Sequence, residues 1–245
     1  MEPVQICRGF TDNQWEGLRK RLIDNTGTVR RDDAAWECAI KVFERRIKER
    51  FISCIDVLEE ADPKSDVVSE PNGPSDCSTL PPGSNEKVRV PGFAIMALCC
   101  LLIETLQSFR EESQGSAKPT GSCTYPKGVC IYPRPESGRE LFRKFLGLPP
   151  FGGAFDDKKL AGKFVDGIRN GILHEAETRG WLIWRDEPCA KIVGEDGGRL
   201  VLNRSLFCDA LKKAFGEYLD QLRDKENIEL RKRFIKKMDD IAKKC

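Results

Sequence analysis

The only histidine in 245 residues, His174, sits in KFVDGIRNGILHEAETRGW (163–181), five residues after Arg169 and four after Asn170. Imidazoles, with an ordinary pKa of about 6.5, take up and release protons around neutral pH. A guanidinium is a fixed cation whose forked N–H groups match a pair of anionic oxygens. Together these types suit proton transfer at a group clamped against an anion, chemistry that needs no cofactor and no metal. On an α-helix Asn170 and His174 lie about 40° apart, one turn above each other. Arg169 lies about 140° round the axis from His174 and roughly 7.5 Å along it. The arginine arm and the imidazole can therefore bracket one groove, which a second copy of the helix packed antiparallel would close into a symmetric pocket.

Other catalytic patterns fail on residue type or spacing. HEAET lacks the second histidine of a zinc-protease helix. There is no Gly-Lys-Ser/Thr phosphate loop, no Gly-x-Gly-x-x-Gly and no Gly-x-Ser-x-Gly elbow. Cys123 and Cys130 are spaced more widely than zinc-ribbon ligands, with no second tight pair.

The 41 Lys and Arg against 39 Asp and Glu leave a net charge of +2, so any basic footprint must be local rather than global. The first residues, MEPVQICRGFTDNQWEG, lack the apolar centre of a signal peptide, and the longest apolar run, FAIMALCCLLI (93–103), is short for a membrane span. The eleven cysteines are odd in number, and Cys38, Cys54, Cys99, Cys100 and Cys208 fall in helix-like apolar patterns. Free thiols in a reducing cytoplasm are the expectation, with no membrane partner.

The elements that would carry the site are mostly helical. Thr11 and Gln14 have capping-box spacing, with Gly27 as a stop. Asp32 and Asp33 open a long helix whose stripe is Trp36, Ile40, Phe43, Ile47, Phe51, Ile55 and Leu58. Residues 61–89 and 113–135 read as loop insertions, and 90–112 as a central buried helix. Ser137 and Glu140 make a second capping box. The helix bearing Arg169 starts near Asp156 and closes at Gly180. WLIWRD, AKIV and RLVLNR read as short strands around a Gly-rich hairpin turn. Asn203 or Ser205 then caps a helix with Phe207, Leu211, Phe215, Tyr218, Leu219 and Leu222 on one face, and a basic tail continues the helical period.

RNGILH (169–174) resembles the Arg-x4–6-His signature of HEPN domains, Asn170 standing for the polar residue that often follows the arginine. The likeness centres on 164–181 and extends over 90–223. It implies an all-α, up-and-down helical bundle, here one domain over 1–245 with a small β-hairpin insertion before the last long helix. It also implies a homodimer through the Arg169/His174 helix and a metal-independent endoribonuclease. His174 would take the 2′-OH proton, Arg169 would stabilise the phosphorane, and Asn170 would hold the imidazole tautomer or donate to the phosphate. The products would be a 2′,3′-cyclic phosphate and a 5′-OH. Family members include toxins, phage-defence effectors and CRISPR-associated nucleases, which implies RNA and an antitoxin or regulatory protein as partners. The tyrosine that follows the histidine by two residues in the toxins is Ala176 here. The alternatives are a non-catalytic HEPN-like module that binds RNA or a nucleotide, and a purely structural helical protein.

Four further features have two readings each. Glu104 either begins the solvent face of its helix or faces the Arg/His groove and orients Arg169. Glu175 and Glu177 are either solvated or, for Glu175, placed to tune His174. The tail bases (Arg231, Lys232, Arg233, Lys236, Lys237, Lys243 and Lys244) read as a solvated face or as phosphate contacts. Trp181 and Trp184 read as core packing or base stacking.

Overall fold

Thr11 and Gln14 open helix α1 (Asp12–Leu22) as their spacing predicts, Gln14 Oε1 accepting from the Thr11 backbone N–H at 2.8 Å. In the computed structural model, which describes residues 3–61, 92–111, 135–185 and 190–243, two short strands precede this helix. They are Gln5–Cys7 (β1) and Phe10–Thr11 (β2), paired antiparallel. Strands this short hold too few residues for an alternating pattern, so the sequence did not reveal them.

Asp32 caps α2 (Asp33–Ile47), its Oδ1 accepting from Ala35 N–H at 3.0 Å. A π-helical turn, Lys48–Ile52, joins α2 to α3 (Ser53–Ala61), so the predicted long helix is one rod with a widened turn. Of the predicted stripe, Trp36, Ile40, Phe43, Ile47 and Ile55 are buried, whereas Phe51 and Leu58 are half-buried. The widened turn rotates the later positions away from the α period. Both expected insertions lie essentially outside the described residues.

Helix α4 (Gly92–Arg110) is long and apolar enough by composition to cross a membrane. One side of it is core: Ile95, Met96, Cys99, Ile103, Leu106 and Phe109 are at most 1% exposed, whereas Phe93 and Leu101 are exposed. Helix α5 (Pro135–Leu146) begins before the expected Ser137 cap, because proline's fixed φ and missing N–H already suit a first turn. Next come a 3₁₀ turn (Pro149–Phe151), α6 (Lys158–Phe164), a second π turn (Val165–Asn170) and α7 (Gly171–Glu175). The last three form one rod, and it ends at Glu175 rather than at the expected Gly180.

The insertion before the next helix is a three-stranded sheet rather than a lone hairpin. Strands β4 (Val193–Asp196) and β5 (Arg199–Asn203) form a hairpin around Gly197 and Gly198, both at positive φ. Of the expected strand AKIV only Val193 takes part, and Gly194, Glu195 and Asp196, expected in the turn, pair with β5. Strand β3 (Trp181–Trp184) lies parallel to β5 on its other edge, from Trp181↔Leu200 to Trp184↔Asn203. Two chain reversals return β5 to the direction of β3, and the free edge of β5 accepts it. Asn203 then caps α8 (Arg204–Arg223), its Oδ1 accepting from Leu206 N–H at 3.1 Å. The predicted face of α8, Phe207 to Leu222, is buried.

The basic tail does not prolong α8. It folds back as α9 (Ile228–Lys243), packing on α1, α4 and α8. Arg231 is buried: its Nε and Nη2 donate to the carbonyls of Leu222 and Arg223 at 2.9 and 3.1 Å, and its guanidinium lies 4.4 Å over the Trp36 ring. Arg233 Nη1 donates to the Arg110 carbonyl at 2.9 Å. Two of the tail's bases therefore close helix C-termini, where orphan carbonyls need donors.

Two aromatic clusters organise the interior. Phe43 of α2 meets Phe109, Phe215, Tyr218 and Phe234 at ring separations of 4.5 to 6.1 Å, tying α4, α8 and α9 together. Phe164 of the second rod stacks on Phe207 at 5.3 Å and meets Trp181 edge-on at 6.1 Å. That second cluster fixes the rod carrying Arg169 against α8. Cys99 and Cys208 meet in the core with sulfurs 3.6 Å apart, and burial pushes the Cys100 thiol well above its ordinary value. Cys38 and Cys54, expected among apolar stripes, stand exposed instead.

Candidate active site

The rod α6–π–α7 starts at Asp157, whose Oδ1 accepts from Lys159 N–H at 2.8 Å. Ala161, Phe164, Val165, Ile168 and Ile172 are buried against the core. Its π turn spans Val165–Asn170, so Arg169 and Asn170 occupy the last positions of the widened segment. π turns break the regular i→i−4 ladder and are frequent where a side chain must be re-aimed.

Two glycines shape the other side of the rod. A Cβ at Gly167 would stand 2.5 Å from Trp181 Cδ1, and one at Gly171 would collide with the Glu177 carbonyl oxygen. The strap after the helix therefore lies directly on the rod at these two positions, four residues apart and bracketing the Arg169–Asn170 pair. It turns at Ala176, which holds a left-handed φ of 55°. Glu177 N–H then donates to Gly171 O and Arg179 N–H to Gly167 O, both at 3.2 Å. Trp181 Nε1 reaches the Lys163 carbonyl at 3.3 Å, and Thr178 Oγ1 donates to Trp181 O at 2.7 Å. Carbonyls freed by the π turn and the helix end thus find donors in the strap. Paired helix glycines followed by a tryptophan were the available signal for this strap. Periodicity alone favoured carrying the helix on to Gly180.

Arg169 points across to α4. Its Nε donates to Glu104 Oε1 at 2.9 Å, Nη2 forms an ion pair with the same oxygen at 2.9 Å, and Nη1 donates to Asn170 Oδ1 at 2.9 Å. The Arg169 side chain is 19% exposed and that of Glu104 29%, so the pair is neither sealed in the core nor freely solvated. Of the two readings of Glu104, the structure shows the one that orients Arg169. A guanidinium has five N–H donors. Two are in hydrogen bonds here, on Nε and Nη1, and the terminal nitrogens keep further donors for an incoming anion.

Asn170 and His174 keep the α spacing, since α7 follows the π turn. The Asn170 side-chain oxygen accepts from Arg169, which leaves its amide N–H groups as donors. His174 is exposed near the C-terminal end of α7, and its ring makes no hydrogen bond among the described residues. Glu175 forms an ion pair with Arg179, whose Nε donates to Glu175 Oε2 at 2.7 Å, and this chiefly holds its carboxyl below the usual range. Trp181 is 2% exposed and packs in the core, as expected, while Trp184 is half-buried. The rod thus presents one braced cation and one open imidazole on consecutive turns.

No protein-family model, curated protein or solved structure matches this chain. The site stands on its own geometry.

Proposed function

We propose that the protein is a metal-independent endoribonuclease of HEPN-like type, acting as a homodimer through the Arg169/His174 rod. The observation that carries the reading is Arg169, fixed by Glu104 and Asn170 with donors left on its terminal nitrogens, and an exposed His174 five residues on along the same rod. A preorganised guanidinium suits charge building up on a non-bridging phosphate oxygen, since no reorganisation is needed at the moment of reaction. The imidazole takes the 2′-OH proton, the 2′-oxygen bonds to phosphorus, and the phosphorus–5′-oxygen bond breaks. The leaving 5′-oxygen receives a proton from an imidazolium, which the same residue of a second copy would supply across a dyad. A 2′,3′-cyclic phosphate and a 5′-OH result, and the protons balance over the two imidazoles. Toxin and phage-defence roles, with an antitoxin or regulatory partner, belong to this reading.

A second reading, a HEPN-like module that binds RNA or a nucleotide without cutting it, is favoured by one observation. Glu104 already neutralises Arg169, which lowers the cation's pull on a phosphate.

The test is incubation of end-labelled single-stranded RNA with the full chain in EDTA, with fragment termini mapped. Cleavage leaving cyclic phosphates, lost in His174→Ala and in Arg169→Ala, is the expected result. Cleavage that persists in His174→Ala overturns the nuclease reading. Binding without cleavage, weakened by Arg169→Ala, selects the second.

A further inference from the structure

The rod that carries Arg169 begins with Lys158, Lys159 and Lys163, residues that no spacing argument singled out. Together with α5 they line a groove of about 500 Å³. From α5 come Arg139 and Arg143, with Glu140 between them, and Asp166 lies at the end nearest the site. Both acids are already engaged. Arg139 Nη2 donates to the two Asp166 oxygens at 2.9 Å each, and Arg143 Nε donates to Glu140 Oε2 at 2.8 Å. The three lysines have no carboxylate within ion-pair distance among the described residues.

Five cations thus face two carboxylates, a local excess of +3 in a chain whose total is +2. Gly162 lies on its wall between Lys159 and Lys163, and a Cβ there would meet nothing within 4 Å. Along the same rod the accessible positions continue through Lys163, Asp166, Asn170 and His174, while Phe164, Val165, Ile168 and Ile172 face the core. From Lys159 to His174 is roughly 22 Å along a helix axis. That length matches about six nucleotides of stacked strand.

We propose that this groove binds the phosphodiester backbone of single-stranded RNA and leads the strand to Arg169 and His174. The proposal rests on the nuclease reading for where the strand leads, and on the groove's charge for what it binds. Unpaired ammonium groups release condensed counterions from a phosphate chain when they bind it, and flexible lysines track a backbone without reading its bases.

The experiment is fluorescence anisotropy of the full chain with a labelled twelve-residue 2′-O-methyl RNA, which lacks the attacking hydroxyl and cannot be cut. Gly162→Glu places a carboxylate in open space and improves helix propensity, so its fold is checked by an unchanged or raised Tm. It should weaken binding at least tenfold, and Lys159→Glu with Lys163→Glu should do the same. Replacing Lys158, Lys159 and Lys163 by glutamine should lower the slope of log affinity against log salt by about 2, at about 0.7 per lost phosphate contact. Affinity unchanged in both charge-reversed proteins overturns the groove, whatever the cleavage assay gives. So does co-sedimentation with phosphatidylserine vesicles without RNA binding. Groove-dependent binding with no cleavage of ordinary RNA sustains this inference and removes the nuclease reading alone.

Discussion

Glu104 and Arg169, 65 positions apart in the chain, meet at 2.9 Å through both Nε and Nη2 of the guanidinium. One helix from the centre of the core thereby sets the aim of the one cation in the motif.

That pairing should be visible in stability. Glu104→Ala is expected to cost about 1–2 kcal/mol, since hydrogen bonds to charged groups are worth more than neutral ones but this pair is partly solvated. In calorimetry Tm should fall by a few degrees. A double-mutant cycle with Arg169→Ala should give a coupling above about 0.5 kcal/mol. Strictly additive losses would mean that the contact contributes nothing.

The glycines under the strap should tolerate no side chain. Alanine favours a helix interior over glycine by about 1 kcal/mol. Nevertheless Gly167→Ala and Gly171→Ala should each lose about 1–3 kcal/mol net in urea unfolding, because the new Cβ meets Trp181 or the Glu177 carbonyl. Gly162→Ala, in open space on the same rod, should be neutral or stabilising. Equal behaviour of all three would remove the close approach of the strap.

Arg231 should behave as a structural residue. Its removal leaves the last α8 carbonyls without their donor under Trp36. Arg231→Met should lose about 2–4 kcal/mol. Anisotropy on the folded fraction should show an RNA affinity and salt slope equal to the parent's. A slope lowered by one phosphate contact would place Arg231 on the RNA instead.

Acid stability should depend on a helix cap. The Asp32 carboxyl is held below the usual range chiefly by the Ala35 N–H it accepts; desolvation opposes this, and Arg21 adds to the lowering. A depressed carboxylate stabilises the fold fully above its unfolded pKa, about 3.9, and that contribution is lost as pH falls through the folded value. Asp32→Asn retains the cap's acceptor and should flatten the decline in urea midpoint below about pH 4. A decline identical to the parent's would rule out the linkage.

The helical stripes, the caps at Thr11, Asp32 and Asn203, and the β4–β5 hairpin were legible because each is a local signal. A period, a side-chain oxygen three residues ahead of an N–H, or a pair of glycines suffices. The motif was legible in the same way, from one uncommon residue and a fixed spacing. What stayed hidden depends on distant parts of the chain. Glu104 stands in the sequence as one carboxylate after an apolar run, and only the packing of α4 against the second rod sets it beside Arg169. The lysine groove needs α5 opposite α6. The contact of Asn170 with its chain neighbour Arg169 lay outside an argument that considered only helix faces. Arg231 looked like one more tail base until α9 folded back across Trp36.

The π turn at Val165–Asn170 also makes the site depend on helix pitch. Running the same residues as a regular α-helix would leave every letter of RNGILH in place. It would also turn those letters by about 100° relative to Phe164 and the core it anchors. Arg169 would then face away from Glu104, although the spacing from arginine to histidine would be untouched. Conversely, a chain one residue shorter ahead of the motif could run a regular α-helix and keep the same facing. In this fold the pitch of the turn before the arginine carries as much information as the arginine itself.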